Sequence, residues 1–424
     1  DSVNTDELTE YAIEQMLTKL DPHSMYIPAS DYELANAPLQ GDFEGIGIEF
    51  YIFRDTVNVI SVVAGGPSEE VGLMPGDKLV EVDGDVIAGI DISERFVIDK
   101  LRGKKGTTVK VGVRRKRKPE LLYFNIRRDV IPTYTVDASY MMDDRTGYIK
   151  ISRFGAKTYD EFESGLSKLK NGGMERLILD LRDNGGGYME KATQIADEFL
   201  EEDRLMVYTD GQGRKFDDEY KTKNTGLYEE GPLIVLINEH SASASEIVAG
   251  ALQDNDRALL VGRRSFGKGL VQKPIRLSDN SELRLTISRY YTPSGRSIQK
   301  PYTDGSFEYE LELEERMLNG EYFNPDSISF DESLKFTTLK GRTVYGGGGI
   351  MPDFFVPKDT SYYSNYMTKL LSNNLLREFA YKYANEHNER LENMQLEGFE
   401  KDMYINEDVL QSFVNFAENS GVEY

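Results

Sequence analysis

The chain has 424 residues, 39% of them hydrophobic and 29% charged, the balance of a folded, soluble chain too long for one core. Its net charge of −23, from 50 basic and 73 acidic residues, excludes general nucleic-acid binding, which needs a basic surface, and reads as a solubility charge. Cysteine is absent, which removes thiol catalysis, disulfides and cysteine-ligated zinc together and suits an exported protein. The three histidines, His23, His240 and His387, show no H-E-x-x-H spacing and give no histidine-rich metal site. No apolar run approaches the roughly 20 residues of a membrane span. The sequence opens on Asp1 rather than methionine, so a leader or anchor trimmed before it is not legible in this chain.

Residues 1–40 open with a helical pattern. Leu8, Ala12, Ile13, Met16, Leu17 and Leu20 recur on one face, and Asp21-Pro22 stops it. The segment LDPHSMYIP then reads as a turn, with His23 and Ser24 as loop punctuation. From 41 to 128 the pattern changes to short strands. Residues 45–50 alternate and 57–63 make a second strand. A short helix follows, then a Pro75-Gly76-Asp77 turn, a strand and an Asp83-Gly84 hairpin signal. An amphipathic helix over 92–101 precedes Arg102-Gly103 and closing strands over 109–113 and 121–126. The basic run 114–118 between these strands reads as a solvated hairpin tip.

This stretch resembles a PDZ domain, on the strength of GLMPGDKLVEVDG. The resemblance implies a groove that takes a peptide's C-terminal carboxylate on the backbone N–H groups of Gly45, Ile46, Gly47 and Ile48. The peptide then adds as a strand to the sheet edge.

Between 129 and 358 strands and helices alternate, which makes an α/β layer with its chemistry in loops at strand ends. Strands are expected over 146–151, 177–181, 233–237 and 258–261, and helices over 159–170, 189–200 and 246–253. Two further strands, 271–277 and 283–290, turn at Asp279-Asn280. Residues 302–340, polar, acidic and weakly periodic, read as a surface excursion. The last 65 or so residues are expected to be helical, with Tyr366, Leu370, Leu371 and Leu375 at helical spacing, and to serve as scaffold or as a contact between copies.

The stretch 232–272 concentrates the chemistry. A buried-type strand leads through small residues, His240-Ser241-Ala242-Ser243-Ala244-Ser245, into a helix, and a second strand ends in a glycine-rich turn carrying Lys268. This architecture exposes a hydroxyl nucleophile and brings a second group to it. A serine needs a base in reach. His240 is three residues away, but in the familiar triads the base arrives on a different loop. A lysine serves if burial in an apolar site keeps it neutral, and Phe266, Gly267, Gly269, Leu270 and Val271 give Lys268 such surroundings. Ser243 is therefore read as nucleophile and Lys268 as base. Glu246 and Asp254, the acids nearby, are read as structural, because a carboxylate directly on the lysine would hold it protonated. Residues 262–268 also fit the start of a phosphate-binding loop, G-x-x-x-x-G-K. The following residue is Gly269 rather than Ser or Thr, and a strand rather than a helix is expected next, so that reading is rejected.

The motifs SASASEIVAGALQD (241–254), GRRSFGKGLVQ (262–272), LRDNGGG (181–187), YYTPSGRSI (290–298) and GGIMPD (348–353) resemble the C-terminal processing (tail-specific) protease family of serine peptidases. The resemblance runs from about residue 8 to 357 and includes the PDZ-like segment in the family's order. It implies a Ser–Lys dyad at Ser243 and Lys268, with Gln272 orienting the lysine and Ser241 and Ser245 as helix-entry residues, Ser245 as the N-cap. The oxyanion donors are expected to be the N–H groups of Ala244 and, by the resemblance, Gly186. Arg102 is the implied link between tail binding and catalysis. The implied fold is a multidomain α/β protein with a ClpP/crotonase-like α/β catalytic core, a PDZ domain and helical terminal segments. Its expected boundaries are 1–40, 41–128, 129–358 and 359–424. The implied function is a serine endopeptidase in the bacterial periplasm or cell envelope. It would act without metal or nucleotide cofactor on proteins with accessible C-termini, with an adaptor protein and a homo-oligomer through the terminal helices as further partners. A catalytically idle PDZ adaptor and a non-peptide hydrolase on the same core are the alternatives. The intact Ser243, Lys268 and Gln272 disfavour the first, and the PDZ module disfavours the second.

Overall fold

A computed structural model describes residues 4–116, 118–303, 305–395, 398 and 407–424. It divides into two compact units, each assembled from two stretches of chain: Asp1–Asp42 with Thr133–Lys358, and Phe43–Pro132 with Asp359–Tyr424. Arg117 of the basic run and residues 399–406 of the C-terminal segment lie outside the described residues. Among the described residues no helix is long and apolar enough to cross a membrane.

The first unit is built on a six-stranded sheet in the order 136–141, 146–151, 176–180, 233–237, 259–262 and 354–355. The first pair is antiparallel and every later pair parallel. Parallel strands must be covered on both faces, and the apolar runs of Arg176–Asp180 and Leu233–Ile237 supply this, with Leu177, Leu179, Val235 and Ile237 buried. The helices Thr158–Asn171, Met189–Asp197 and Ala244–Asp254 contribute Phe162, Leu166, Ile195, Val248 and Leu252 to the same core. Because these strands run the same way, their carboxyl ends share one sheet edge, and the loops after 180, 237 and 262 open there together.

A second sheet places Glu282–Tyr291 between Leu205–Gly211 and the strands Leu270–Arg276 and Met25–Ile27. Met25–Ile27 falls within the segment expected to be a turn; only residues up to Ser24 turn, and the rest pairs with Glu282–Tyr291. After Gly262 the chain runs on to the strand Leu270–Arg276 without a helix, as the rejection of a phosphate loop required. Of the apolar face expected on the first helix, Thr5–Leu17, only Leu17 is buried, while Leu8, Met16 and Leu20 are exposed.

The expected surface excursion over 302–340 is instead structural. It contains the helix Ser306–Leu318, in which Tyr309 and Arg316 are buried. Its pattern is hidden among exposed acidic residues, one of which, Glu312, turns inward and pairs with both buried cations, Lys300 and Arg316. Arg316 in turn donates to the carbonyl oxygens of Ser265 (2.8 Å) and Phe266 (3.2 Å), so this helix props the loop that carries Lys268.

The second unit contains a sheet of Ile48–Ile52, Val57–Val62, Lys78–Val82, Thr108–Arg114 and Leu122–Arg127, with Asp85–Val86 on the third strand. It closes on a core of Val57, Leu79, Val97, Val111 and Ile126. The C-terminal helices Asn365–Ser372, Leu375–Glu386 and Glu407–Asn419 form their own small cluster around Leu370, Leu375 and Ala417, while Leu371 is exposed. Tyr381 stacks near Phe53 and donates to the Gly76 carbonyl (3.1 Å), which fixes these helices to the sheet domain of the same unit.

Asp254, read as structural, ends the helix after Ser243 and forms a fully buried pair with Arg296 at 2.7 Å, while Ser294 donates to its other oxygen. Removing one partner of such a pair strands a buried charge. Asp254→Ala is expected to lower the unfolding free energy by about 3–5 kcal/mol, measured by urea denaturation; a loss below about 1 kcal/mol would contradict this.

Candidate active site

The loops at the sheet edge enclose a cleft of about 660 Å³ lined by Ser243, Ala244, Lys268, Gln272 and Gly186, among others. Ser243 stands between the strand Leu233–Ile237 and the helix Ala244–Asp254 with φ 55° and ψ −112°, a backbone conformation that costs energy for a residue with a Cβ. The neighbouring loop and helix hold it there. Ser241 Oγ donates to the Leu181 carbonyl (2.8 Å) and Ser245 Oγ to the Asn184 carbonyl (2.9 Å). Ser243, not Ser245, is therefore the N-cap; Ser245 lies inside the first turn and ties the helix to the glycine loop. His240 is exposed and does not line the cleft.

Lys268 reaches the same cleft on the other loop. Its Nζ donates to Gln272 Oε1 at 2.9 Å, and burial, the dominant effect, lowers its pKa below the ordinary lysine value, opposed by the charges of Asp21 and Glu246. Gln272 Nε2 donates to the His23 carbonyl oxygen. Because that partner can only accept, the orientation of the carboxamide is fixed, with its oxygen toward the lysine. In this arrangement Ser243 Oγ and Lys268 Nζ share the cleft without a direct hydrogen bond between them; catalytic hydrogen bonds commonly tighten only with substrate in place.

The two loops are tied together by Glu246, which is buried. Its Oε2 accepts the N–H groups of Ser243 (2.8 Å) and Lys268 (2.9 Å), and its Oε1 accepts the N–H of Gly267 (2.8 Å) and the hydroxyl of Ser265. Burial pushes its pKa up to about 7 while these donors pull it down. With both oxygens facing donors, the carboxylate is the form this geometry holds. From the other side the Tyr290 hydroxyl is shared between the carbonyl oxygens of Ser243 and Lys268.

The glycine loop 185–187 packs against Ser243. A Cβ on Gly186 (φ 100°) would lie 2.7 Å from Ser243 Cβ, 2.8 Å from the Ala242 carbonyl and 3.0 Å from Ala244 N. The Ala244 N–H, at the helix start, has no protein acceptor among the described residues. The Gly186 N–H is committed to Asn184 Oδ1 at 2.9 Å, so it faces the cleft as a donor only when that bond is released.

In the second unit, a separate cavity of about 530 Å³ is lined by Gly45, Ile46, Gly47, Ile48, Ile98 and Arg102, among others. It lies along the strand Ile48–Ile52 and the helix Glu94–Leu101. The N–H groups of Ile46 and Gly47 have no protein acceptor among the described residues. Arg102 ends that helix and lays its guanidinium over Phe43 at 4.5 Å.

Residues 145–306 match the model of peptidase family S41, residues 45–126 match that of the PDZ domain, and residues 366–424 match a family of unknown function. A carboxy-terminal-processing protease of Bartonella bacilliformis is 38% identical over 299 residues, 69% of this chain and 67% of that protein. The chain belongs to peptidase family S41. A carboxy-terminal processing protease of Bacillus subtilis is 32% identical over 339 residues (79% and 68% of the two chains), and a carboxyl-terminal-processing protease of Synechocystis sp. 35% over 301 residues (69% of each). Among solved structures, a photosystem II D1 C-terminal processing protease aligns over 84% of each chain with 26% identity and a TM-score of 0.44. The protein is thus a C-terminal processing serine peptidase with a PDZ domain.

Tyr290 opens the motif 290–298, but its bridge between the carbonyl oxygens of Ser243 and Lys268, like the partners of Gln272, is set by elements far apart in the chain. For the S41 peptidase, Gly186→Ala is expected to lower kcat/KM on a tailed substrate by about 10²-fold or more, since it displaces Ser243. Activity within twofold of wild type would show that the loop gives way.

Proposed function

We propose that this peptidase is an endopeptidase that recognises the C-terminal tails of loosely folded proteins through its PDZ groove and cleaves them by a Ser–Lys acyl-enzyme mechanism. The observation that carries the reading is a strained Ser243 sharing one cleft with a half-buried lysine whose amine is oriented by Gln272. Ser243 Oγ attacks the scissile carbonyl carbon while the lone pair of neutral Lys268 takes the hydroxyl proton. The Ala244 N–H, with a second donor from loop 185–187, meets the oxyanion. The C–N bond then breaks as the Lys268 ammonium returns the proton to the leaving amine. Water attacks the resulting ester with Lys268 again as base, releasing the acid and restoring the serine. Gln272 suits this cycle because a neutral amide oxygen orients the amine without the charge that would hold it protonated.

In the second unit, the free N–H groups of Ile46 and Gly47 suit a terminal carboxylate, and the edge of Ile48–Ile52 suits an added strand. Arg102, on the rim of this groove, is the residue through which tail binding would bear on catalysis. The cysteine-free composition fits work in an oxidising cell envelope. An adaptor and self-association through terminal helices remain part of this reading.

On a tailed substrate, Ser243→Ala and Lys268→Ala are each expected to lower kcat/KM by about 10⁴-fold or more; retained cleavage in either variant would remove the dyad. Because burial lowers the Lys268 pKa and the base acts deprotonated, kcat/KM is expected to rise with pH and level off once the amine is free. A flat profile from pH 5 to 9 would contradict a lysine base. Converting the substrate's terminal carboxylate to an amide is expected to raise KM, and an unchanged KM would remove the groove's role.

A further inference from the structure

Gln272 is held by a turn at the far end of the sequence. Its Nε2 donates to the carbonyl oxygen of His23, and the peptide carrying that oxygen is fixed by Asp21. Asp21 Oδ1 accepts the N–H groups of His23 (2.8 Å) and Ser24 (2.9 Å) and the Thr286 hydroxyl (3.0 Å), and its Oδ2 accepts the Ser24 hydroxyl. Ser24 Oγ accepts the Thr286 N–H at 3.2 Å. Thr286 pairs with Gln272 across the neighbouring strands, so the turn and the carboxamide are stitched to the same strand from both sides. The His23 ring is locked as well, with Nε2 2.7 Å from the buried Tyr309 hydroxyl and the two rings edge-on at 5.1 Å.

We propose that Asp21 is a positioning residue of the peptidase: it sets the His23 carbonyl that orients Gln272, and its carboxylate is the counter-charge for the Lys268 ammonium. The inference rests on the reading of Lys268 as the base. Asp21 has the right form for the role. Burial opposes its ionisation, but the bonds from Ser24, His23 and Thr286 keep its pKa below the ordinary value, so it is an anion at neutral pH. The charges that act on Lys268 are Asp21 and Glu246, which raise its pKa, and Arg284, which lowers it. His23 is neutral there, since burial and the nearby Lys268 charge bring its pKa down to about 4. Glu246 spends both oxygens on backbone N–H groups and Ser265. Asp21, whose oxygens are likewise engaged, is joined to the amine through the His23 carbonyl and Gln272, and with Glu246 it favours the ammonium as it forms, as a buried carboxylate favours an imidazolium in the histidine triads.

Two substitutions separate the parts. Asp21→Asn keeps an oxygen acceptor for the turn and removes the charge; Asp21→Ala removes both. For Asp21→Asn the acid limb of the kcat/KM profile is expected to move down by about half to one pH unit with a lower plateau. The midpoint for acylation of the Lys268 amine, followed by peptide mass spectrometry, is expected to move with it. Asp21→Ala is expected to lower kcat at least tenfold in the wild-type background and by a clearly smaller factor on Gln272→Ala, where the loss that passes through that residue is already taken and only the lost charge still acts. Superimposed profiles and amine midpoints for wild type and Asp21→Asn, or equal losses from Asp21→Ala in both backgrounds, would overturn the proposal. If Asp21→Ala does not fold, the Asp21→Asn profile decides alone. An active Lys268→Ala would instead sink the dyad, a different failure.

Discussion

The architecture of the site depends on one buried carboxylate. Glu246 joins the Ser243 turn after one strand to the Lys268 turn after the next by accepting N–H groups from Ser243, Gly267 and Lys268. Backbone groups at a tight turn and at a glycine-rich loop have no ladder to satisfy them, and leaving them unpaired inside the protein is costly. Glu246 satisfies three at once, and in doing so fixes the separation of the two loops. Its acid group never needs to touch the amine of Lys268, so it can organise the lysine loop through the backbone while the side chain stays in apolar surroundings.

Around that link the protein places supports with little freedom of their own. The parallel strands bring the loop ends to one edge, the Arg316 guanidinium props the lysine loop from the helix Ser306–Leu318, and Tyr290 bridges the two carbonyl groups. Holding Ser243 at φ 55° is a strain that only such surroundings sustain. Ser243 and Lys268 are thus held by their neighbours, the condition under which a small set of side chains can do acyl transfer.

The parts of this arrangement that depend on local chemistry were legible in the sequence. Apolar runs such as 233–237 announce buried strands, and small residues followed by a helix pattern announce a sharp turn that could present Ser243. Lys268 could be singled out because its neighbours are glycine and apolar. What stayed hidden is set by distance along the chain. Glu246 read as structural, but that its partners lie about twenty residues downstream could not be read. Ser243 and Ser245 are equally good N-caps by residue type, and only the fold decides between them. The helix Ser306–Leu318 was hidden because Glu312 looks as solvated as the exposed glutamates around it until the buried Lys300 and Arg316 are seen. The LDPHS segment looked like an ordinary turn, since nothing local reveals that a carbonyl within it receives Gln272.

In this account the lysine is a base because burial weakens its hold on a proton, and the serine is the nucleophile because the turn presents it to that base. The most direct test is mass spectrometry of the protein after brief exposure to an activated acyl ester, with the adduct mapped by peptide digestion. The account predicts an acyl group on Ser243, absent from Ser243→Ala and much slower to form in Lys268→Ala. Stoichiometric acylation at another residue with Ser243 unmodified, or undiminished acylation of Ser243 in Lys268→Ala, would contradict it.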